Sequence, residues 1–201
     1  MIPTDRDLDQ NRAMDMAAPI LVDLYNILDN AVALYFGKDY TPLARAEHTS
    51  RAMANCIYAH AEKGMIRVAD SKTGLHAINV RGLHVINYRD QILVRFKKVT
   101  ANGRHSNYQT EQQEDYDDQK HFEEFPDPAI RLTAGYQLDV AGSALERIMI
   151  ARPIGRTIFW ASQVSVLDNI ASWEDITPER IAGTGTIDFD AERARRNRRG
   201  K

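Results

Sequence analysis

The residues best suited to chemistry in this chain lie between Asp90 and Phe125. In the run 92–98, apolar side chains alternate with Leu93, Arg95 and Lys97, which predicts a half-buried β-strand whose outer face carries two cations. Cations spaced along a strand can bind phosphate oxygens, and a nearby tyrosine can stack on a base. The polar and cationic residues that fit such contact are Arg95, Lys97, Lys98, Arg104, Asn107, Tyr108, Arg131 and Arg156.

A metal-dependent nuclease is a second chemistry to weigh for the same stretch. Such an enzyme needs carboxylates to hold the ion and a lysine to stabilise developing charge. Asp90, Lys97 and Glu114 supply these residue types, although Arg95 stands where a second acid would help. The sequence has no His-Glu-x-x-His, paired-Cys or glycine-rich phosphate motif, so it predicts neither metal nor cofactor. Catalysis is left open, and a non-enzymatic role is favoured.

The histidines are interpreted as structural. His76 and His84 occupy equivalent places in two neighbouring strands, which favours satisfied structural histidines or a cross-strand pair over metal ligands. His48 and His60 fall on one predicted helix, where twelve residues separate them by about 18 Å. They are too far apart along that helix to share a metal.

An acidic run follows the cationic strand, because seven of the fourteen residues 111–124 are acidic. It is predicted as a short helix or an exposed loop. Carboxylates so close in sequence would repel phosphate and attract the cations of the strand. The alternative to nucleic-acid binding is therefore internal pairing between these acids and cations.

Composition restricts the broad class of protein. The chain has 201 residues, 43% hydrophobic and 27% charged, as expected for an ordinary globular protein. No apolar run near eighteen residues is evident and the N-terminus lacks the features of a secretory signal, so we expect a cytoplasmic protein. Cys56 is alone, which excludes an internal disulfide.

Charge is distributed unevenly along the chain. Residues 193–201 hold six of the 26 basic residues, which leaves 20 against 28 acidic ones in residues 1–192, a net charge of −8. So basic a tail cannot bury apolar surface, and it is predicted to be disordered. It could contact nucleic acid or fold back on the acidic run.

Periodicity predicts the elements that must position these residues. Apolar residues at spacings of three and four indicate a helix over 13–36, and Thr41-Pro42 begins a second helix over 42–63. From Met65 onward, branched residues separated by turn formers predict strands, with a short helix near Trp173. Asn102-Gly103 favours a tight turn.

The fold class expected is therefore α+β, with an N-terminal helical pair packed on a mostly antiparallel, strongly twisted sheet. Residues 1–64 form the helical layer, and residues 65–170 form the sheet with an acidic insertion at 111–125. Residues 171–201 hold the short helix and the tail. All three parts are expected to belong to one structural domain.

Two blocks of sequence resemble a known group of proteins. VRFKKVTANGRHSNYQTEQ, and then IRLTAGYQLDVAGSALERIMIARPIGRTIFW, are similar to a family of small bacterial proteins whose genes lie beside helix-turn-helix regulators in toxin–antitoxin or phage-defence settings. The resemblance implies a toxin-like or antitoxin-controlled role with a protein partner. It carries no agreed catalytic residues.

Between these blocks, QKHFEEF is similar to the peptides by which SocB-like toxins dock on the DNA sliding clamp. In such peptides a glutamine hydrogen-bonds at the rim of the site while apolar side chains fill pockets. Gln119, Phe122 and Phe125 would take these roles here, or the phenylalanines merely pin a loop onto the sheet. The leading hypothesis is binding of a macromolecular partner, with nucleic-acid binding and homodimer assembly as alternatives.

Overall fold

Helices precede a seven-stranded sheet in the computed structural model, which describes residues 5–80, 82–105, 110–119 and 129–177. The predicted α+β class is confirmed, since the N-terminal helices pack on one face of a mostly antiparallel sheet. The predicted basic tail, 193–201, lies outside the described residues.

The first helix, α1, spans Asp5–Ala33 and continues into a short π-helix, Leu34–Lys38. It begins eight residues before the predicted start because its polar first turns are anchored to the sheet. Asp9 accepts a hydrogen bond from Trp160 Nε1 at 2.7 Å, and Gln10 Nε2 donates to Ser162 Oγ at 2.9 Å. These contacts stabilise a polar stretch as helix. The apolar periodicity of the sequence did not indicate a helix there.

The second predicted helix is divided into α2, Pro42–Glu47, and α3, Ser50–Ser71. The start at Thr41-Pro42 is confirmed. The break falls at His48, whose backbone is extended, and Thr49 then caps a new helix by accepting from the Ala52 N–H at 3.2 Å. His48 and His60 therefore do not share one continuous helix.

The predicted strand at Met65–Ala69 is wrong, because these residues belong to α3. The helix continues since Ile57, Ala61 and Met65 follow one another at four-residue spacing and are all buried in the main core. The short run at 65–69 therefore continues the buried face of α3 and does not form a strand.

The strands follow one another in chain order across the sheet. They are β1 Leu75–Val80, β2 Leu83–Tyr88, β3 Ile92–Lys98, β4 Ile130–Leu138, β5 Leu145–Ile154, β6 Thr157–Leu167 and β7 Ile170–Asp175. Every neighbouring pair is antiparallel except β3 and β4, which are parallel.

The predicted helix near Trp173 is also wrong, because Trp173 lies in β7. Asp168 and Asn169 both have positive φ, the backbone required by a two-residue hairpin turn, and this pairs β7 with β6. Pro178 and Glu179, which suggested a helix start, lie outside the described residues.

The parallel pair requires a crossover between β3 and β4, and part of it lies on the face of the sheet opposite α1 and α3. That part contains the helix α4, Glu111–Asp117, so the short-helix version of the acidic segment is confirmed for these residues. Tyr116 of α4 packs in a second, smaller core with Val85 and Leu93. The sheet therefore has helical cover on both faces.

The segment Asp5–Gly37 is long and apolar enough to cross a bilayer by length and composition. The expectation that no such run exists is thus corrected. In this fold the segment is the core helix, with Ile20, Leu24 and Leu28 buried against the sheet and α3. Its apolar character is explained by this packing.

Candidate functional site

A buried polar cluster lies between α4 and the middle of the sheet. Arg95 on β3 forms an ion pair with Asp117 at the end of α4, and each side chain is only 1% exposed. Arg95 Nε also donates to Thr133 Oγ1 on β4 at 3.1 Å, and His105 Nε2 lies 3.0 Å from the second carboxylate oxygen of Asp117. The cluster therefore joins β3, β4, α4 and the loop after β3.

Tyr116 completes this region and explains the position of α4. Its hydroxyl donates to the Leu93 carbonyl at 2.9 Å and to the Leu132 carbonyl at 2.8 Å, and its ring lies 4.7 Å from the guanidinium carbon of Arg95. Burial raises the pKa of Tyr116, so the hydroxyl stays protonated and remains a donor. A neutral aromatic donor and a buried ion pair thus hold α4 against the strands.

The predicted strand 92–98 is confirmed, but the expectation of a solvent-facing charged side is wrong for Arg95. Leu93, Arg95 and Lys97 share the face that α4 covers, and Lys97 is only partly buried at its rim. Burial and the charge of Arg95 lower the pKa of Lys97 to about 8, and Asp117 offsets part of that effect. The internal pairing of strand cations with the acidic segment is confirmed by the Arg95–Asp117 ion pair.

The other predicted cations do not form one continuous basic surface with Arg95. Arg131 is buried, and its Nη1 donates to the Asp115 carbonyl at 3.1 Å. Arg104 Nη2 donates to the Arg156 carbonyl at 2.8 Å, and Arg156 lies 3.6 Å from Glu114. Lys98 points to the opposite face of the sheet from Lys97. A stripe for a nucleic-acid backbone along β3 therefore finds no support in this arrangement.

Gln119 is held inside the fold. Its Nε2 donates to the carbonyls of Arg131 and Pro153 at 3.2 and 3.1 Å, and its Oε1 accepts from the Arg131 N–H at 3.2 Å. Docking on a clamp through this side chain would first require these bonds to break. Phe122 and Phe125, together with Asn107 and Tyr108, lie outside the described residues.

The residues considered for a nuclease are not gathered at one place. Asp90 lies in the turn before β3 and Lys97 near the far end of that strand, so that about 3.3 Å per residue separates them by roughly 20 Å. Asp90 accepts from Asn87 Nδ2 at 2.6 Å. Glu114 on α4 lies 3.6 Å from Arg156. Among the described residues no group of three or more His, Cys, Asp or Glu side chains is placed to hold a metal ion.

Of the two interpretations given for His76 and His84, the cross-strand pair is wrong and the structural histidine is confirmed for His84. The register pairs His76 with Asn87 and His84 with Asn79. His84 is instead a satisfied structural histidine, because its Nδ1 lies 3.0 Å from Glu62 on α3 and its ring meets that of Tyr58 edge-on. The helical layer is thereby tied to β2.

A cleft of about 750 Å³ lies on the helical side, beyond the carboxyl ends of β3 and β4. Its wall includes Tyr35, whose hydroxyl lies 2.9 Å from His48 Nδ1, and Lys98 and Asp139 from the ends of the two strands. The Tyr40 ring contacts both His48 and His60, with centroids 5.6 and 5.9 Å apart. Sequence reasoning missed this cluster because it assumed a continuous second helix.

Tyr136 on β4 is only 3% exposed. Its hydroxyl is buried and has no hydrogen-bond partner among the described residues. A buried polar group without a partner costs free energy. We expect Tyr136→Phe to leave the fold intact and to raise the free energy of unfolding by up to about 1 kcal/mol. Urea unfolding followed by circular dichroism would check this, with Tyr116→Phe, which removes a satisfied hydroxyl, as the destabilised control.

The outer edge of the sheet at β7 is the second region with functional potential. Hydrogen-bonded pairs alternate along an antiparallel ladder, and the Ile176 N–H donates to the Ala161 carbonyl at 2.9 Å. Ser172 and Glu174 therefore direct their backbone groups toward β6, whereas Ala171, Trp173 and Asp175 direct theirs outward. Among the described residues no strand pairs with this edge.

An exposed aliphatic pair adjoins the same edge. Leu167 and Ile170 flank the β6–β7 turn, face each other in the register and are 77% and 70% exposed. They lie on the face of the sheet away from α1, since Trp173 and Val164 occupy the face that packs against the main core. Backbone groups and apolar side chains are thus available together.

Fold and site define an α+β protein with an open sheet, a buried polar cluster under a crossover helix and an edge strand, β7, that has no second partner strand among the described residues. No protein-family model, curated protein or solved structure matches the chain. The resemblance to the toxin–antitoxin family stays a prediction, and function is inferred from geometry.

Proposed function

We propose that this protein is a cytoplasmic, toxin-like or defence-associated protein that acts by binding a protein partner at the outer edge of β7. The partner supplies an extended segment that adds to the sheet as a further strand. An antitoxin is the partner that the family resemblance implies. The single observation that carries the proposal is the outward backbone of Ala171, Trp173 and Asp175, which has no partner strand among the described residues.

Strand addition follows from the physical character of this edge. An exposed edge presents a row of donors and acceptors to any extended chain, and main-chain hydrogen bonds supply the affinity. Pro and Lys, which often protect such edges, do not occur between Ile170 and Asp175. The exposed pair Leu167 and Ile170 would give specificity by contacting apolar side chains of the incoming segment.

Charge restricts the partner further. Glu174 and Asp175 end β7, and residues 1–192 carry a net charge of −8. A partner segment with alternating apolar residues and flanking Lys or Arg would complement this surface. Docking on a replication component through Gln119 is less favoured, because that side chain is committed to β4 and β5.

A proline substitution in β7 tests the proposal. In Ala171→Pro the lost N–H points outward, so the β6–β7 ladder is retained while one donor to the partner strand is removed. We expect this variant to lose the partners that copurify with the wild-type protein from a bacterial lysate, and to lose binding to each identified partner after reconstitution. Ala171→Val keeps the N–H and is the matched control that should bind like wild type.

Loss of binding in both variants, or in neither, would contradict strand addition at β7. The unfolding free energy of both variants is measured first, so that a folding defect is recognised. Induced expression with and without the neighbouring gene then tests the toxin-like role: growth should stop with the wild type alone and recover with the antitoxin. Light scattering separates a second copy of the chain from another protein at the same edge.

A further inference from the structure

The buried cluster under α4 contains two side-chain nitrogens that have no hydrogen-bond partner among the described residues. One oxygen of Asp117 accepts from Arg95 Nη2, and the other lies 3.0 Å from His105 Nε2. Arg95 Nε is satisfied by Thr133 at 3.1 Å. Arg95 Nη1 and His105 Nδ1 are nevertheless buried, and neither has a hydrogen-bond partner among the described residues.

Lys97 adds a third nitrogen at the rim of the same cluster. It shares a face of β3 with Arg95, two residues away, and makes no ion pair or hydrogen bond with the described part of the chain. Its ammonium interacts electrostatically with both Arg95 and Asp117. Among the described residues, Asp117 is thus the one carboxylate shown to interact with the two positive charges of Arg95 and Lys97.

Such an arrangement is costly without a further acceptor. Buried polar groups in proteins are nearly always hydrogen-bonded, and a buried cation is stabilised only by a counter-charge. Satisfying the Arg95 guanidinium requires an oxygen beside Nη1. Satisfying Lys97 requires a negative group near the rim of α4.

We propose that Arg95, Lys97 and His105 form a binding site for a single phosphoryl group. A tetrahedral oxyanion carries several acceptor oxygens, and a guanidinium binds it with well-defined geometry. His105 would contribute its second ring nitrogen, since Nε2 contacts Asp117 and the buried Nδ1 has no hydrogen-bond partner among the described residues. Because the side chains of Arg95 and Asp117 are each 1% exposed, a polynucleotide backbone cannot reach them, and the proposed ligand is a single small group.

The position of the cluster in the sheet fits this role. β3 and β4 are the parallel pair of the sheet, and Lys97 lies near their carboxyl ends, where the chain leaves β3 for the crossover. Ligands of open sheets with parallel strands bind at such ends. The site is separate from the β7 edge and does not depend on the function proposed for it.

Calorimetric titration with sodium phosphate and with glycerol 3-phosphate tests the proposal. We expect saturable binding to the full chain, at least about tenfold weaker in Lys97→Met. Lys98→Met removes the neighbouring cation on the opposite face and is the matched control that should bind like wild type. Binding of both ligands indicates a site open to phosphate monoesters, whereas binding of phosphate alone indicates a site for the free anion.

A pH series with sodium sulfate adds a second measurement. Sulfate keeps the same charge above pH 6, so any change in its affinity over this range comes from the protein. Burial lowers the pKa of Lys97 to about 8, so this side chain loses its proton within the range of the series. Affinity should therefore fall between pH 6 and 9.5 in the wild type, and fall less in Lys97→Met. The proposal is overturned if no saturable binding is found, or if Lys97→Met binds as tightly as Lys98→Met.

Discussion

Asp117→Ala is expected to lower the free energy of unfolding by about 3–5 kcal/mol. The substitution leaves the guanidinium of Arg95 without its counter-ion at a position where the arginine side chain is only 1% exposed. It also removes the carboxylate partner of His105. Urea unfolding at neutral pH, in a buffer free of phosphate and sulfate, measures the effect without stabilisation by a bound anion.

Two further variants make this result specific to the ion pair. Glu111→Ala removes an exposed carboxylate from the first turn of the same helix and should cost at most about 1 kcal/mol. Arg95→Met combined with Asp117→Leu replaces both charges by apolar groups and should be more stable than Asp117→Ala alone. An Asp117→Ala protein as stable as Glu111→Ala would show that the pair does not stabilise the fold.

Gly135→Ala is expected to destabilise the protein by about 1–3 kcal/mol, because the site is too tightly packed for a methyl group. A Cβ at position 135 of β4 would lie 2.5 and 2.7 Å from the two terminal carbons of Val99. Val99 is itself buried and β-branched, so its side chain cannot easily rotate away. Thermal and urea unfolding would both report the change.

A compensating substitution tests the cause. Val99→Ala removes the clashing methyl groups, so adding it to Gly135→Ala should cost less than the two single changes summed. Gly37→Ala is the control for glycine replacement in general, since no atom lies within 4 Å of a Cβ there and the residue is helical. Equal stability of Gly135→Ala and the wild type would contradict the predicted clash.

The candidate site could be predicted only in its residue types. Alternation identified Leu93, Arg95 and Lys97 as one face of β3, and the nearby acids indicated an internal partner. Which acid would pair, and that the face would be closed, could not be inferred. Those facts depend on the side of the sheet that the crossover takes and on the rotation of α4, which Tyr116 fixes through contacts with β3 and β4.

The elements show the same division. Thr41-Pro42 predicted a helix start correctly because capping is a local interaction. Residues 65–69 are predicted as a strand because a run of five residues with Ile66 and Val68 fits either period, and only packing of Met65 in the helical core decides between them. In the sequence, Gln119 fits the pattern of a docking peptide. In the structure its amide instead donates hydrogen bonds to carbonyls of β4 and β5.

The sequence by itself determined the helical layer, the strand-rich body, the acidic balance and the absence of recognisable catalytic motifs. The tertiary structure alone decided that Arg95 is a buried partner of Asp117, and that Arg95 Nη1 has no hydrogen-bond partner among the described residues. It also decided that β7 is an edge strand that pairs on one side only within the described part of the chain. Local periodicity indicates which residues of a helix or strand share a face. Burial and pairing depend on contacts between segments far apart in the chain, which periodicity does not encode.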